Sequence, residues 1–139
     1  MERYPDAARQ EAAFMTVISK RTLLSIIELG GYPDFKPLYR QAGYEVESVA
    51  SVRKALGLLK KLSPDVIVAE FNFQSDFRDR TSSLESLLAV VQRSPETRVI
   101  VFYEKDHAHQ LARLQAQFPI HAALAYPIDP VTLLDQLCE

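Results

Sequence analysis

Few side chains in this sequence could do chemistry, and two carboxylates stand out by position. Glu70 closes the run Pro64-Asp65-Val66-Ile67-Val68-Ala69-Glu70, and Glu28 lies at the end of Thr22-Leu23-Leu24-Ser25-Ile26-Ile27-Glu28-Leu29. Val66 to Ala69 is uninterrupted and rich in β-branched residues, the pattern of a strand covered on both faces. Pro64 can open such a strand but could not sit inside it. An acid at its carboxyl end stands where open parallel α/β sheets collect ligands. Two acids there could hold a metal ion or move a proton. Each also has a simpler reading: Glu28 as a solvated acid at a strand end, Glu70 as a polar strand terminus.

The remaining reactive residue types are scattered. His107 and His109 are two apart on an expected helix start and do not share a helical face, and His121 is isolated, so no metal site is expected. The single cysteine, Cys138, excludes an internal disulfide framework and suits a reducing cytoplasm. No Gly-rich phosphate loop, nucleophile elbow or paired Cys/His cluster is present. The residues alone therefore assign no catalytic group and no cofactor.

Composition narrows the classes further. With 139 residues, 47% of them hydrophobic and 24% charged, the chain fits one ordinary domain with a real core. A net charge of −2 gives no electrostatic footprint for a phosphate backbone, so nucleic acid is not an expected partner. No apolar run is long enough to span a bilayer, and the N-terminus lacks the apolar core of a signal peptide. The expectation is a cytoplasmic protein with no membrane partner.

The elements that must position the two acids follow in order. Residues 1–21 read as an N-terminal arm, helical because Phe14, Val17 and Ile18 share a face, although the β-branched Thr16 to Ile18 also suit an extended segment. Its role is either packing on the domain or acting as a docking or dimerising arm. The domain proper spans 22–139. Thr22 to Leu29 reads as a buried strand stopped by Gly30-Gly31. Pro33 to Ala42 reads as a helix in which Pro37 is tolerable only in the first turn, with Gly43 after its end. Tyr44 to Val49 is a short strand. Ser51 caps a helix striped by Val52, Ala55, Leu56, Leu59 and Leu62. Beyond the Pro64 strand, residues 71–81 have no clean period. Ser82 or Ser83 caps a helix with Leu84, Leu87, Leu88 and Val91 on one face. Val99 to Phe102 is a fourth strand, Asp106 caps a helix containing Leu111, Leu114 and Gln115, Ala122 to Ala125 is a fifth strand, and Asp129-Pro130 opens the last helix.

Strands alternating with helices require a parallel sheet, since a parallel neighbour is reached only by a long crossover. The expected architecture is α/β, a flavodoxin-like doubly wound five-stranded sheet of order 2-1-3-4-5 with an N-terminal extension. From Thr22 to Leu137 the chain resembles the receiver domain of bacterial response regulators, the CheY-like family. Ser-Pro-Asp-Val-Ile-Val-Ala-Glu looks like its third strand with the terminal phosphoacceptor, Arg-Val-Ile-Val-Phe-Tyr like the fourth, and Ala-Leu-Ala-Tyr-Pro-Ile-Asp-Pro-Val-Thr-Leu-Leu like the fifth strand and the start of the last helix.

A working receiver, as that resemblance implies, has an acidic pair after the first strand for magnesium and an aspartate after the third to accept the phosphoryl group. It has Thr or Ser after the fourth and Lys before proline after the fifth. The matching positions here carry Glu28 and Leu29, Glu70, Tyr103, and Tyr126 before Pro127. One acid is missing, the acceptor is a methylene longer, and the hydroxyl and the cation are replaced by aromatics. The resemblance therefore implies a degenerate pseudo-receiver, a phosphorylation-independent, non-enzymatic protein-interaction module in bacterial two-component signalling or a phosphorelay. It also implies a cis peptide at Tyr126-Pro127. The expected working surface combines the helix around Leu111, the strand Ala122 to Ala125, the helix from Pro130 and the loop after Glu70. Its candidate anchors are Phe77, Arg80, His109 and Arg113, facing a protein partner or a second copy of the chain. Two other readings stay open: a metal-dependent phosphoacceptor or small hydrolase using Glu28 and Glu70, and a small-ligand sensor with Phe71 to Phe77 as a lid.

Overall fold

The computed structural model describes residues 21–28, 32–71 and 84–138. Five strands form one sheet: β1 (Arg21–Ile26), β2 (Tyr44–Val49), β3 (Val66–Glu70), β4 (Arg98–Tyr103) and β5 (Ala122–Ala125). Their order is β2-β1-β3-β4-β5 and every pairing is parallel. The helices between and after them are α1 (Lys36–Gln41), α2 (Val52–Leu58), α3 (Leu84–Val91), α4 (Ala108–Gln117) and α5 (Pro130–Cys138). This is the expected flavodoxin-like doubly wound sheet. The N-terminal arm lies outside the described residues apart from Arg21, which already belongs to β1.

Alternation along the strands divides the core in two. Leu24 and Ile26, Ile67 and Ala69, and Val99 and Val101 face one side, where α2, α3 and α4 bring Ala55, Leu87, Leu88 and Leu111. Leu23, Val66, Val68, Ile100 and Phe102 face the other, against Phe35, Tyr39, Leu133 and Leu137 from the α1 and α5 side. All five residues of β3 are buried. Each fully buried Val, Ile or Leu side chain contributes about 1.5–3 kcal/mol, so the central strands carry much of the fold's stability.

Local chemistry sets the helix ends. Pro37 stands in the first turn of α1, where its missing N–H costs nothing, and Gly43 follows the helix with φ +96°, open to glycine at no steric cost. Ser51 Oγ accepts from the Lys54 N–H at 3.1 Å and caps α2. At the last helix Asp129 Oδ1 accepts from Val131 N at 3.1 Å, and Thr132 Oγ1 donates to Asp129 Oδ2 at 2.9 Å.

Three expectations need correction. Strand β1 ends at Ile26, leaving Ile27 and Glu28 in the following loop. Helix α2 stops at Leu58, so Leu59 is its C-cap residue and Leu62 lies beyond it; the apolar stripe outlasts the helix. Asp106 does not cap α4: a single 3₁₀ turn, Lys105–His107, precedes that helix, and its N-cap residue His107 makes no side-chain capping bond. The Ser82 or Ser83 cap lies outside the described residues.

At the end of the sheet opposite Glu70, Arg98 ties β4 to α5. Its Nη1 donates to Gln136 O at 2.9 Å, and its Nη2 donates to Leu137 O at 3.2 Å and to the Tyr44 hydroxyl at 2.8 Å. The Tyr44 hydroxyl in turn donates to Leu137 O at 2.7 Å. These bonds satisfy carbonyls that a helix C-terminus leaves without intrahelical partners. The Arg21 guanidinium stacks 4.5 Å from the centre of the Tyr44 ring.

Candidate functional site

Glu70 ends β3 next to Phe102 of β4, its register partner, and only 8% of its surface is exposed. A buried carboxylate needs hydrogen-bond donors. One is the backbone N–H of Glu28, which donates to Glu70 Oε1. The Glu28 carboxylate is directed elsewhere: its Oε2 accepts from the Val52 N–H at 3.2 Å, the first residue of α2. Glu70 thus fixes the loop after β1, and Glu28 adds a tertiary cap to α2 beside the local cap from Ser51. The simpler readings, a polar strand terminus and a solvated acid, understate both residues.

Phe102, the register partner of Glu70, belongs to an aromatic group. The Tyr32 ring centre is 5.2 Å from that of Phe102, and 5.5 Å from that of Tyr126 at 79°, an edge-to-face contact. Phe35 meets Phe102 edge-on at 5.9 Å and Tyr39 at 6.3 Å. Burial, reinforced by the charges of Glu70 and Glu104 and by Tyr126, pushes the Tyr32 phenol up to about 12. Tyr32 is therefore a neutral hydrogen-bond donor at ordinary pH. Burial, followed by the Asp34 charge, raises Tyr39 in the same direction.

The residues singled out in the sequence divide between this site and other places. Tyr126 belongs to it, 41% exposed, with a cis peptide to Pro127 and its N–H donating to Tyr103 O at 2.8 Å. Tyr103, expected at the hydroxyl position, does not join Glu70; its side chain packs with the core on the α2, α3 and α4 side. Phe102 takes the place beside the acid. Strand alternation could have assigned it, because in a parallel register the residue opposite Glu70 shares its face. Tyr32 comes from an irregular loop and had no periodic signal.

Leu29, Phe77 and Arg80 lie outside the described residues. His109 and Arg113 are exposed on α4, one turn apart. Phe71, first residue of the expected lid, is a core residue at 5% exposure with its ring edge-on to His107 at 6.5 Å.

Among the described residues no three His, Cys, Asp or Glu side chains gather as a metal ion would need. Magnesium requires near-octahedral oxygens, several of them waters, around one or two carboxylates. A Glu70 oxygen accepts from the loop backbone and a Glu28 oxygen from a helix end, so each carboxylate already serves a structural bond.

No protein-family model matches the sequence, and no curated protein matches it either. Solved structures do. A CheY-like response regulator receiver domain protein from Methanospirillum hungatei JF-1 superimposes with a TM-score of 0.71 at 17% identity, over 86% of this chain and 91% of that one. The chemotaxis response regulator CheY4 of Vibrio cholerae gives 0.67 at 20% identity, over 86% and 97%. A response regulator receiver protein from Sinorhizobium medicae WSM419 gives 0.69 at 18% identity, over 86% and 93%. The fold is that of a receiver domain. Within this receiver fold Glu70 ends the third strand, Phe102 stands beside it in register on the fourth, and Tyr126 precedes the proline after the fifth. No helix among the described residues is long and apolar enough to cross a membrane.

Proposed function

We propose that this chain is a phosphorylation-independent pseudo-receiver, a non-enzymatic protein-interaction module of bacterial two-component signalling. The observation that carries the reading is the bond from the Glu28 N–H to the buried Glu70 carboxylate, whose register partner Phe102 packs against the Tyr32 ring. A phosphoryl acceptor must reach its donor and have its growing charge neutralised by cations or a metal ion. Here the acceptor is buried and already bonded, and the charges acting on neighbouring Tyr32 are acidic. A fixed carboxylate gives one negative charge without the doubled charge and three oxygens of a phosphate, so the site favours one standing state over a switch.

Signalling by such a module passes through its surface. The candidate face includes α4, β5 and α5, with His109 and Arg113 exposed on α4. Phe77 and Arg80 in the preceding segment complete the set of anchors, for a protein partner or a second copy of the chain. Affinity capture from the native cell with the parent and with His109→Glu, Arg113→Glu, Phe77→Ala and Arg80→Ala variants tests this, with sedimentation reporting self-association. Loss of a captured partner or of a dimer in folded variants supports the reading. Parent-like binding by all four moves the working surface elsewhere.

A further inference from the structure

A cavity of about 520 Å³ opens on the α1 side of the sheet, over the carboxyl ends of β1 and β2. Helix α1 has only six residues and begins at Lys36, and the described residues Ile27 and Tyr32 to Phe35, which precede it, line this cavity. Its volume falls in the range of small-molecule sites, roughly 300–1,000 Å³. Much of its wall is apolar or aromatic, with Ile27, Val49, Phe35 and Phe102 among the lining residues.

Most polar side chains in that wall can donate a hydrogen bond. Ser25 and Ser48 are register partners on β1 and β2, and both line the cavity. Ser25 is a buried hydroxyl residue between Leu24 and Ile26, in a strand whose other buried positions are Leu or Ile. A core strand needs a reason to keep a polar group there, and a ligand is one. Tyr32 and Tyr39 add two phenols, and Lys36 and Lys54 add two ammonium groups. Asp34 supplies the one carboxylate of the lining, and its Oδ1 already accepts from the Lys36 backbone N–H at 3.0 Å. Hydrogen-bond donors and positive charge therefore predominate around an aromatic wall.

We propose that this cavity binds a small organic acid with a flat apolar body, the body against Phe35 and Phe102 and the carboxylate balanced by Lys36 and Lys54. Tyr32 and Phe102 line the cavity, and Phe102 is also the register partner of Glu70, so an occupant touches rings that belong to the receiver-like site. Phe71 is not among the lining residues. Its ligand does not depend on the interaction reading, which could fail while this site holds.

Phenylacetate and indoleacetate, each with its neutral amide as control, serve as probes in nitrogen–proton correlation NMR of the full chain. The expected result is saturable shifts at Ser25, Ile27, Ser48 and Val49, with the acid at least about tenfold tighter than the amide, as loss of a charged hydrogen-bond partner implies. Lys36→Gln with Lys54→Gln is expected to erase that preference. Ser48→Trp, at an exposed lining position, is expected to abolish the shifts while the rest of the spectrum stays folded. If neither acid gives saturable shifts at these residues, if the amides bind equally well, or if Ser48→Trp binds as the parent does, the proposal is overturned.

Discussion

Glu70 is buried and bonded to the backbone of a neighbouring loop. Glu70→Gln keeps an oxygen for the Glu28 N–H, whereas Glu70→Ala leaves that donor unsatisfied. The alanine variant is expected to lose about 1–3 kcal/mol and the glutamine variant clearly less, read from denaturant midpoints. Tyr32 gives a second test at this scale. Its phenol releases its proton at 10.0 when unfolded and at about 12 when folded, chiefly through burial. Between those values the native state holds more protons than the unfolded state, so stability falls as pH rises through that interval and is unaffected below it. Tyr39 acts in the same direction. Denaturant titrations at increasing alkalinity are expected to show a decline above about pH 10 that is shallower in Tyr32→Phe. Little of this was legible in the sequence: Glu70 was visible as an acid ending an apolar strand, but Tyr32 sits in a loop without period, and its proximity to Glu70 arises only when β1, β3 and β4 lie side by side.

Helix α2 shows how neighbouring elements divide a task. Ser51 satisfies the Lys54 N–H from within the helix, and Glu28 satisfies the Val52 N–H from the β1 loop. Ser51→Ala is expected to cost about 1 kcal/mol, and Glu28→Ala a similar amount. Because both act on the first turn of one helix, the loss in the double variant is expected to differ from the sum of the two, the difference measuring their coupling. Arg98 is the corresponding device for α5, and Arg98→Ala is expected to cost about 2 kcal/mol and to loosen the last turn, detectable as faster amide exchange at Gln136 and Leu137. Lysine is not expected to restore it, since one ammonium cannot reproduce the guanidinium fork across Gln136 O, Leu137 O and the Tyr44 hydroxyl. The elements themselves were legible wherever pattern and packing agree: the apolar runs of β1, β3 and β4, the stripe of α3, the Ser51 cap and the position of Pro37. Legibility failed at boundaries. Leu59 and Leu62 continue a helical stripe past the end of α2, and Asp106 looks like a cap but stands inside a 3₁₀ turn, because helix ends depend on tertiary partners as well as local propensity.

At the scale of the whole molecule, the doubly wound sheet separates stability from the candidate site. Arg98, Tyr44 and the end of α5 fasten one end of the strands, while Glu70, Tyr32, Phe102 and Tyr126 occupy the other, where this topology gathers ligands. Strand order and layers followed from the alternation of apolar runs with amphipathic stripes, since few topologies satisfy short connections and right-handed crossovers. The β4 residue beside Glu70 needed the register as well as the pattern, because a one-residue difference along β4 decides between Tyr103 and Phe102, and alternation sends those two side chains to opposite faces. The central claim is that a receiver fold persists here without phosphoryl chemistry. Intact-mass measurement after incubation with acetyl phosphate and magnesium tests it most directly, in the parent, Glu70→Asp and Glu70→Gln. No phosphoryl adduct is expected in any of the three, since shortening the acid supplies neither a metal site nor a cation. A phosphoryl adduct on the parent that disappears in Glu70→Gln would contradict it.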